Sequence, residues 1–167
     1  MDEKYDNIEF DDLSKDILEH EEFMKTKDIA HHGISRYNHL LRVGYYTYKV
    51  TKFLRLNYRE ATRAGLLHDF FLEEVKHEKS IARLRKHPEH ALKNAEKHFS
   101  VDALGKDIIK THMFPVTFTP PRYLESWIVT IIDDIAGIYE RCYSIRNELR
   151  TAFTFSIAFA VIFLRIP

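Results

Sequence analysis

The chain has 167 residues, of which 45% are hydrophobic and 30% charged. That composition is typical of one soluble domain with its own core and excludes an intrinsically disordered chain. Its single cysteine, Cys142, excludes both an intrachain disulfide framework and a zinc site built from cysteines.

The formal net charge of zero conceals an uneven distribution of charge. Residues 1–22 contain ten acidic residues and two lysines, so the remainder of the chain is basic. We interpret the acidic segment as a solvated helix face rather than as an arm that binds a partner. A basic body suits a phosphate-bearing ligand, but it lacks the dense Lys/Arg runs of a nucleic-acid binder, so we expect no stable nucleic-acid complex.

The two ends of the chain bear on its location. The acidic N-terminus has no apolar core segment, which argues against a signal peptide and predicts a cytoplasmic protein. Near the C-terminus, residues 151–164 form an uncharged and mostly apolar run. Because a membrane span needs about 20 such residues, we expect no span. We expect residues 146–167 to form an apolar helix that packs on the core or on a homodimer partner, the alternative being an interfacial segment.

Apolar residues recur at spacings of three and four, and no convincing strand appears, so the sequence predicts an all-α fold. Ser35, Asn57 and either Ser100 or Asp102 are suitable helix N-caps, and Pro88 is suitable for a first turn. Loops are predicted at 73–80 and at the proline-rich 113–122. In chain order, we predict helices over 10–26, 36–56, 58–69, 81–86, 88–99, 103–112, 123–143 and 147–164.

Several histidines and acids stand where predicted helices begin, end or are buried. Asp133 lies within an apolar stretch, where a carboxylate is costly to bury unless it is paired or bound to metal. A mixture of imidazole and carboxylate suits Zn, Fe, Mn or Co. Any one of these histidines alone is better explained as a hydrogen-bonded buried imidazole than as a metal ligand. An adjacent His-Asp pair alone is also weak evidence for a metal site, since such dipeptides arise by chance. The candidates are His39, His68, Asp69, His87, His112 and Asp133.

Taken in order, His39, His68-Asp69, His112 and Asp133 resemble the HD superfamily of metal-dependent phosphohydrolases. The flanking residues agree: 35–43 (SRYNHLLRV) resembles the opening histidine helix, 64–69 (AGLLHD) the signature, and 130–135 (TIIDDI) the closing aspartate helix. The resemblance covers roughly residues 31–145. It implies a single-domain HD-type helical bundle over 31–145, which follows an acidic helical arm at 1–30.

Members of this superfamily bind one or two metal ions, and the spacing here looks like that of binuclear members such as bacterial dinucleoside-tetraphosphate hydrolases. The resemblance implies one or two divalent transition-metal ions (Fe, Mn, Co, Zn or Ni). His90 competes with His87 and Asp134 with Asp133; we favour His87 and Asp133. The implied ligands are His39, His68, Asp69, His87, His112 and Asp133.

The implied reaction is hydrolysis of a nucleotide or another small phosphoester or phosphoanhydride by a metal-activated water. Asp69 is the expected orienting residue for the nucleophile. Arg36, three residues before His39 on the same helix face, is the first candidate to bind substrate phosphate, with a surface arginine as the alternative, and Arg122 is the second. Two other functions stay open: that of a di-iron HD-type oxygenase, and that of a non-catalytic sensor or interaction module.

Overall fold

The structure is a computed structural model that describes residues 5–31, 33–71 and 80–163, the side chains of residues 80–84 and 152–163 excepted. Helices dominate the described residues, which confirms the predicted all-α fold. In this part of the chain a 3-10 turn, Lys25–Asp28, and a two-stranded hairpin accompany them. The helices are α1 (Ile8–Leu18), α2 (Glu21–Met24), α3 (Arg36–Phe53), α4 (Tyr58–Leu67), α5 (Ser80–His98), α6 (Ala103–Thr111) and α7 (Leu124–Phe163).

Side-chain caps fix where the central helices begin. Ser35 accepts a hydrogen bond from the backbone N–H of Asn38, and Asn57 caps α4 in the same way. Asp102, rather than Ser100, caps α6. Each cap satisfies an N–H group that has no partner within its own helix, so the predicted starts of α3, α4 and α6 are confirmed.

The first predicted helix, 10–26, is divided in the structure into α1 and α2. His20 adopts extended backbone angles and caps α2 by accepting from the N–H of Glu22. Two strands that the sequence did not predict follow: β1 (Ala30–His31) pairs antiparallel with β2 (Ile34–Ser35). Gly33, with φ of 88°, supplies the left-handed conformation that this tight turn requires.

Two predicted helix breaks do not occur. α5 runs through Pro88. A proline within a helix removes one backbone hydrogen bond, but the buried Ala91, Leu92 and Ala95 hold this helix against the core and outweigh that loss. α7 continues past residues 144–146, where no glycine or proline interrupts it. The predicted loop at 113–122 lies between α6 and α7 as expected. Of the other predicted loop, 73–80, residues 73–79 lie outside the described residues, and Ser80 is the first residue of α5.

Helices α3 and α4 form the centre of the molecule. Gly44 and Gly65 let them approach closely, since a Cβ atom on Gly44 would lie 2.5 Å from Cδ2 of Leu66. Leu40 and Leu66 are fully buried beside this crossing. The close approach brings the start of α3 and the end of α4 together, and both candidate histidines of these helices lie there.

The N-terminal helix α1 packs on this centre through the buried side chains of Phe10 and Ile17. Two of its acids also bind basic residues of α3 and α4: Glu9 pairs with Lys52, and Asp16 makes a two-bond ion pair with Arg63 at 2.6 and 2.7 Å. At the other end of the chain, α7 is helical as far as Phe163, and the packing of side chains 152–163 lies outside the described residues. None of the helices searched within the described part has the length and apolarity to cross a membrane.

Candidate metal centre

The six candidate side chains lie together in one buried cluster, although 94 residues separate the first from the last. Two of them lie at helix ends: His68 is the C-cap of α4 and His112 is the C-cap of α6. The exposed fraction is 8% or less for five of them and 15% for the side chain of Asp133. The cluster consists of His39 (α3), His68 and Asp69 (end of α4), His87 (α5), His112 (end of α6) and Asp133 (α7).

One part of the cluster is centred on Asp133. Its Oδ1 atom lies 3.0 Å from Nε2 of His39 and 3.4 Å from Nε2 of His68. Three helices, α3, α4 and α7, therefore converge on one carboxylate oxygen.

A second part is a triangle of three ligand-type atoms. Oδ1 of Asp69 lies 3.1 Å from Nε2 of His87 and 3.4 Å from Nε2 of His112. The two imidazole nitrogens are 2.9 Å apart. Asp69 also groups with His39 and His68, so its carboxylate lies between the two parts of the cluster.

These distances fit metal coordination. Atoms bound about 2.1 Å from one ion stand about 3.0 Å apart in octahedral and about 3.4 Å apart in tetrahedral coordination. The separations in the triangle, 2.9 to 3.4 Å, agree with that range to within 0.1 Å. In addition, Nε2 of His39, Nε2 of His68 and Oδ1 of Asp69 are buried and make no well-oriented hydrogen bond, although other atoms of the cluster lie 3.0–3.4 Å from them. Such an arrangement is costly, and a bound cation would relieve it.

Comparison with known proteins agrees with this geometry. The family model described as HD domain matches residues 36–138, which is more than half of the chain and contains all six residues of the cluster. The chain belongs to the HD domain family. This family consists mostly of metal-dependent phosphohydrolases. Neither the curated proteins nor the solved structures contain a match to this chain.

Hydrogen bonds at Nδ1 fix the orientation of three imidazoles in this HD domain. His68 donates from Nδ1 to the carbonyl of Gly65, and His112 does the same to Ile109, both at 2.8 Å. His39 donates from Nδ1 to the Glu140 carboxylate at 3.0 Å. Each bond holds the Nδ1 proton away from the cluster and directs Nε2 into it, so that the neutral ring would offer its Nε2 lone pair to a metal ion, as a histidine ligand requires.

Sequence reasoning missed Glu140. Its side chain is 0% exposed and binds both Nδ1 of His39 and the Arg42 guanidinium, the latter at 2.5 Å. A signal was present in the sequence: Glu140 follows Asp133 by seven residues, two helical turns, and therefore shares its face of α7. Arg42 follows His39 by three residues and shares a face of α3 in the same way.

Charges within the cluster determine its protonation. Burial disfavours the imidazolium of His39, but the carboxylates of Asp133 and Glu140 outweigh burial and raise its pKa to about 10. Burial would also raise the pKa of Asp69 and of Asp133, yet the surrounding histidines hold both well below the usual range. For His112 burial prevails and lowers the pKa, which favours its neutral form.

The remaining candidates lie apart from these contacts. His90 and Asp134, the competitors of His87 and Asp133, are both exposed. Arg36 is 7% exposed, donates to the carbonyl of Phe71 at 2.6 Å and lies 3.9 Å from the centroid of the Phe71 ring. Arg122 is exposed, and its backbone N–H donates to Asp107. His31, which the sequence did not single out, lies beside His39 with ring centroids 4.4 Å apart.

Proposed function

We propose that this HD domain is a binuclear, metal-dependent phosphohydrolase that acts on a nucleotide or another small phosphoester or phosphoanhydride. The observation that carries the proposal is the triangle of Asp69, His87 and His112 beside the cluster around Asp133. A mononuclear site would use only the Asp133 part and would leave this second group of ligand atoms without a role.

His39, His68 and Asp133 would hold one divalent ion and His87 and His112 the other, with Asp69 shared between them. Such ions supply Lewis acidity at the phosphoryl oxygens and lower the pKa of water. The identity of the metal follows from ligand type: imidazole with carboxylate suits Mn, Fe, Co, Ni or Zn.

The protein's own groups would orient the reaction. Asp69 is ionised at neutral pH, because the surrounding histidines hold its pKa low. In this proposal its carboxylate accepts a hydrogen bond from the attacking water and so directs an oxygen lone pair at phosphorus. The low exposure of the cluster excludes bulk water, which strengthens each of these electrostatic interactions.

Arg36 is the proposed phosphate-binding residue, because a guanidinium can donate two parallel hydrogen bonds to a phosphate. Its contact with Phe71 keeps it close to the cluster, since the Phe71 ring also stacks on His87 with centroids 5.6 Å apart. Arg122 remains the second candidate for substrate binding. We also propose that the enzyme acts in the cytoplasm on small phosphorylated substrates and forms no stable complex with nucleic acid.

A substrate screen tests this proposal. The purified full chain is supplied in turn with Mn, Fe, Co, Ni or Zn and assayed for phosphate release from nucleoside mono-, di- and triphosphates, dinucleoside polyphosphates and sugar phosphates. We expect turnover of one substrate class, lost in the His68→Ala/Asp69→Ala double variant and retained in His90→Ala. Oxygen consumption by the iron-loaded protein without phosphate release would favour the di-iron oxygenase, and inactivity with every metal would favour a non-catalytic module.

A further inference from the structure

One face of α7 carries a continuous apolar stripe. Seven large apolar side chains on it are 39–66% exposed, and Cys142 is exposed among them. Their spacings along the chain are 3, 4, 4, 3, 4, 3 and 4 residues, close to the repeat of a coiled-coil seam. We call this set the α7 stripe: Leu124, Trp127, Ile131, Ile135, Ile138, Cys142, Ile145 and Leu149.

The α7 stripe lies on the opposite side of the helix from the metal centre. At about 100° per residue, its members fall within an arc of about 80° whose centre lies about 160° from Asp133. Val129, Ala136 and Glu140 are buried on the other face, toward the core. Scattered exposed apolar residues are ordinary, but a continuous exposed patch of this kind marks an interaction site. We therefore interpret the stripe as a surface that binds a partner.

We propose that the occupant is the α7 of a second copy of this chain, packed antiparallel against the stripe. A seam with spacings of three and four residues can pack against a copy of itself, and a two-fold dimer places the same surface on both partners.

Charges that flank the stripe select the antiparallel arrangement. Asp134, Arg141 and Glu148 border one side of it, and Tyr139 and Arg146 border the other. In a parallel pair, residues on opposite borders meet, so Arg141 would face Arg146 of the second copy twice. In an antiparallel pair, residues on the same border meet, so Arg141 can face an acid of the second copy, Glu148 or Asp134, twice.

The same charges allow two registers. With Ile138 opposite Leu149 and Cys142 opposite Ile145 of the second copy, Arg141 lies beside Glu148, and the two-fold point lies between Tyr143 and Ser144. A shift by one heptad either way places Arg141 beside Arg141 of the second copy, or Glu148 beside its Glu148, and like charges repel. A shift by two heptads, with Ile135 opposite Ile138 of the second copy, places Arg141 beside Asp134 and lays residues 124–149 of the two copies against each other.

Sedimentation velocity of the full chain at micromolar concentrations tests the dimer. We expect a dimer for the natural sequence and a monomer for Ile138→Asp, which places a charge in the middle of the seam and weakens association by about a hundredfold or more. The matched control is Phe53→Asp, because Phe53 is 85% exposed at the end of α3 and lies off the stripe. A monomer for the natural sequence, or binding of the monomer to phosphatidylcholine vesicles through the stripe, overturns the proposal.

A charge swap tests orientation and register with variants confined to exposed positions. Arg141→Glu should weaken the dimer by about three- to thirtyfold, because it replaces two attractive pairs by two repulsive ones. Adding either Glu148→Arg or Asp134→Arg to Arg141→Glu should restore the dimer, and the acid that does so identifies the register. A parallel dimer would behave oppositely, since Arg141→Glu would then relieve repulsion from Arg146 and tighten association. Tightening by Arg141→Glu, or failure of both double variants to recover, contradicts the antiparallel pairing.

Discussion

Glu140 holds His39 from the side opposite the metal centre: its carboxylate binds Nδ1 at 3.0 Å while Nε2 of the same ring lies 3.0 Å from Asp133. The imidazole is thus fixed between two carboxylates of one helix. Arg42 neutralises Glu140, which offsets part of the cost of burying that acid. We infer that Glu140 is a positioning residue that acts through His39.

Replacement of Glu140 should weaken metal binding. Loss of such a supporting carboxylate typically costs about 10–100-fold in metal affinity, and Glu140→Ala additionally leaves Arg42 buried without this partner. Metal dissociation constants, measured by competition with a chelator, should rise for Glu140→Ala and rise less for Glu140→Gln, whose amide oxygen can still accept from Nδ1. Glu96→Ala, on the surface of α5, is the control. Unchanged metal affinity in Glu140→Ala would remove the positioning role.

The choice of His87 over His90 gives a second prediction. His87 lies 3.1 Å from Asp69 whereas His90 is exposed, so His87→Ala should lose the second ion and reduce turnover by orders of magnitude, with the first ion and the fold retained. His90→Ala should leave metal content and turnover near those of the natural protein. Elemental analysis and steady-state kinetics distinguish the two variants. If the losses occur in His90→Ala instead, the assignment of the second ion is wrong.

Arg36 should affect substrate binding more than turnover. A phosphate contact made in the ground state raises KM before it lowers kcat, so Arg36→Ala should raise KM and Arg36→Lys should recover part of the loss. The contact with Phe71 means that the melting temperature must be measured on the same variants. A lower melting temperature with KM unchanged would show that Arg36 only supports the structure.

The attachment of α1 to the core should depend on pH. Glu9 accepts hydrogen bonds from Tyr48 and Tyr58 and pairs with Lys52, and these contacts, that with Lys52 foremost, lower its pKa from 4.5 to about 2. Because the pKa is depressed in the folded state, the ionised carboxylate stabilises the protein above pH 4.5, and this contribution is lost as pH falls from 4.5 toward 2.

Glu9→Gln should therefore reduce the free energy of unfolding at neutral pH, with a difference from the natural protein that narrows below pH 4.5. Urea denaturation at several pH values measures it, and Asp12→Asn, an exposed acid of the same helix, serves as the control. A difference that is constant from pH 7 to pH 3 would mean that the charge of Glu9 contributes nothing.

Local signals in the sequence predicted a large part of the fold. Ser35, Asn57 and Asp102 cap the helices that deliver His39, His68 and His112, and a cap is recognisable from its own residue and the pattern that follows. The six candidate residues do lie together; their role as metal ligands stays a prediction. Sequence reasoning failed where the outcome depended on tertiary packing: α5 passes through Pro88, and α7 continues through residues 144–146.

Glu140 shows the same limit at the site. Its spacing from Asp133 was visible in the sequence, but an acid two turns along an amphipathic helix is usually solvated. Only the close packing of α3 against α7 buries it between His39 and Arg42. The apolar positions of the α7 stripe are likewise present in the sequence, but their exposure follows only from the packing of the opposite face of α7 against the core.

The most direct test of the proposed centre is the metal content of the full chain purified without chelator, measured by elemental analysis. We predict about two transition-metal ions per chain for the natural protein, about one for His87→Ala, and none for His68→Ala/Asp69→Ala. Full metal occupancy in the double variant, or a natural protein that binds no transition metal when supplied with Mn, Fe, Co, Ni or Zn, would contradict it.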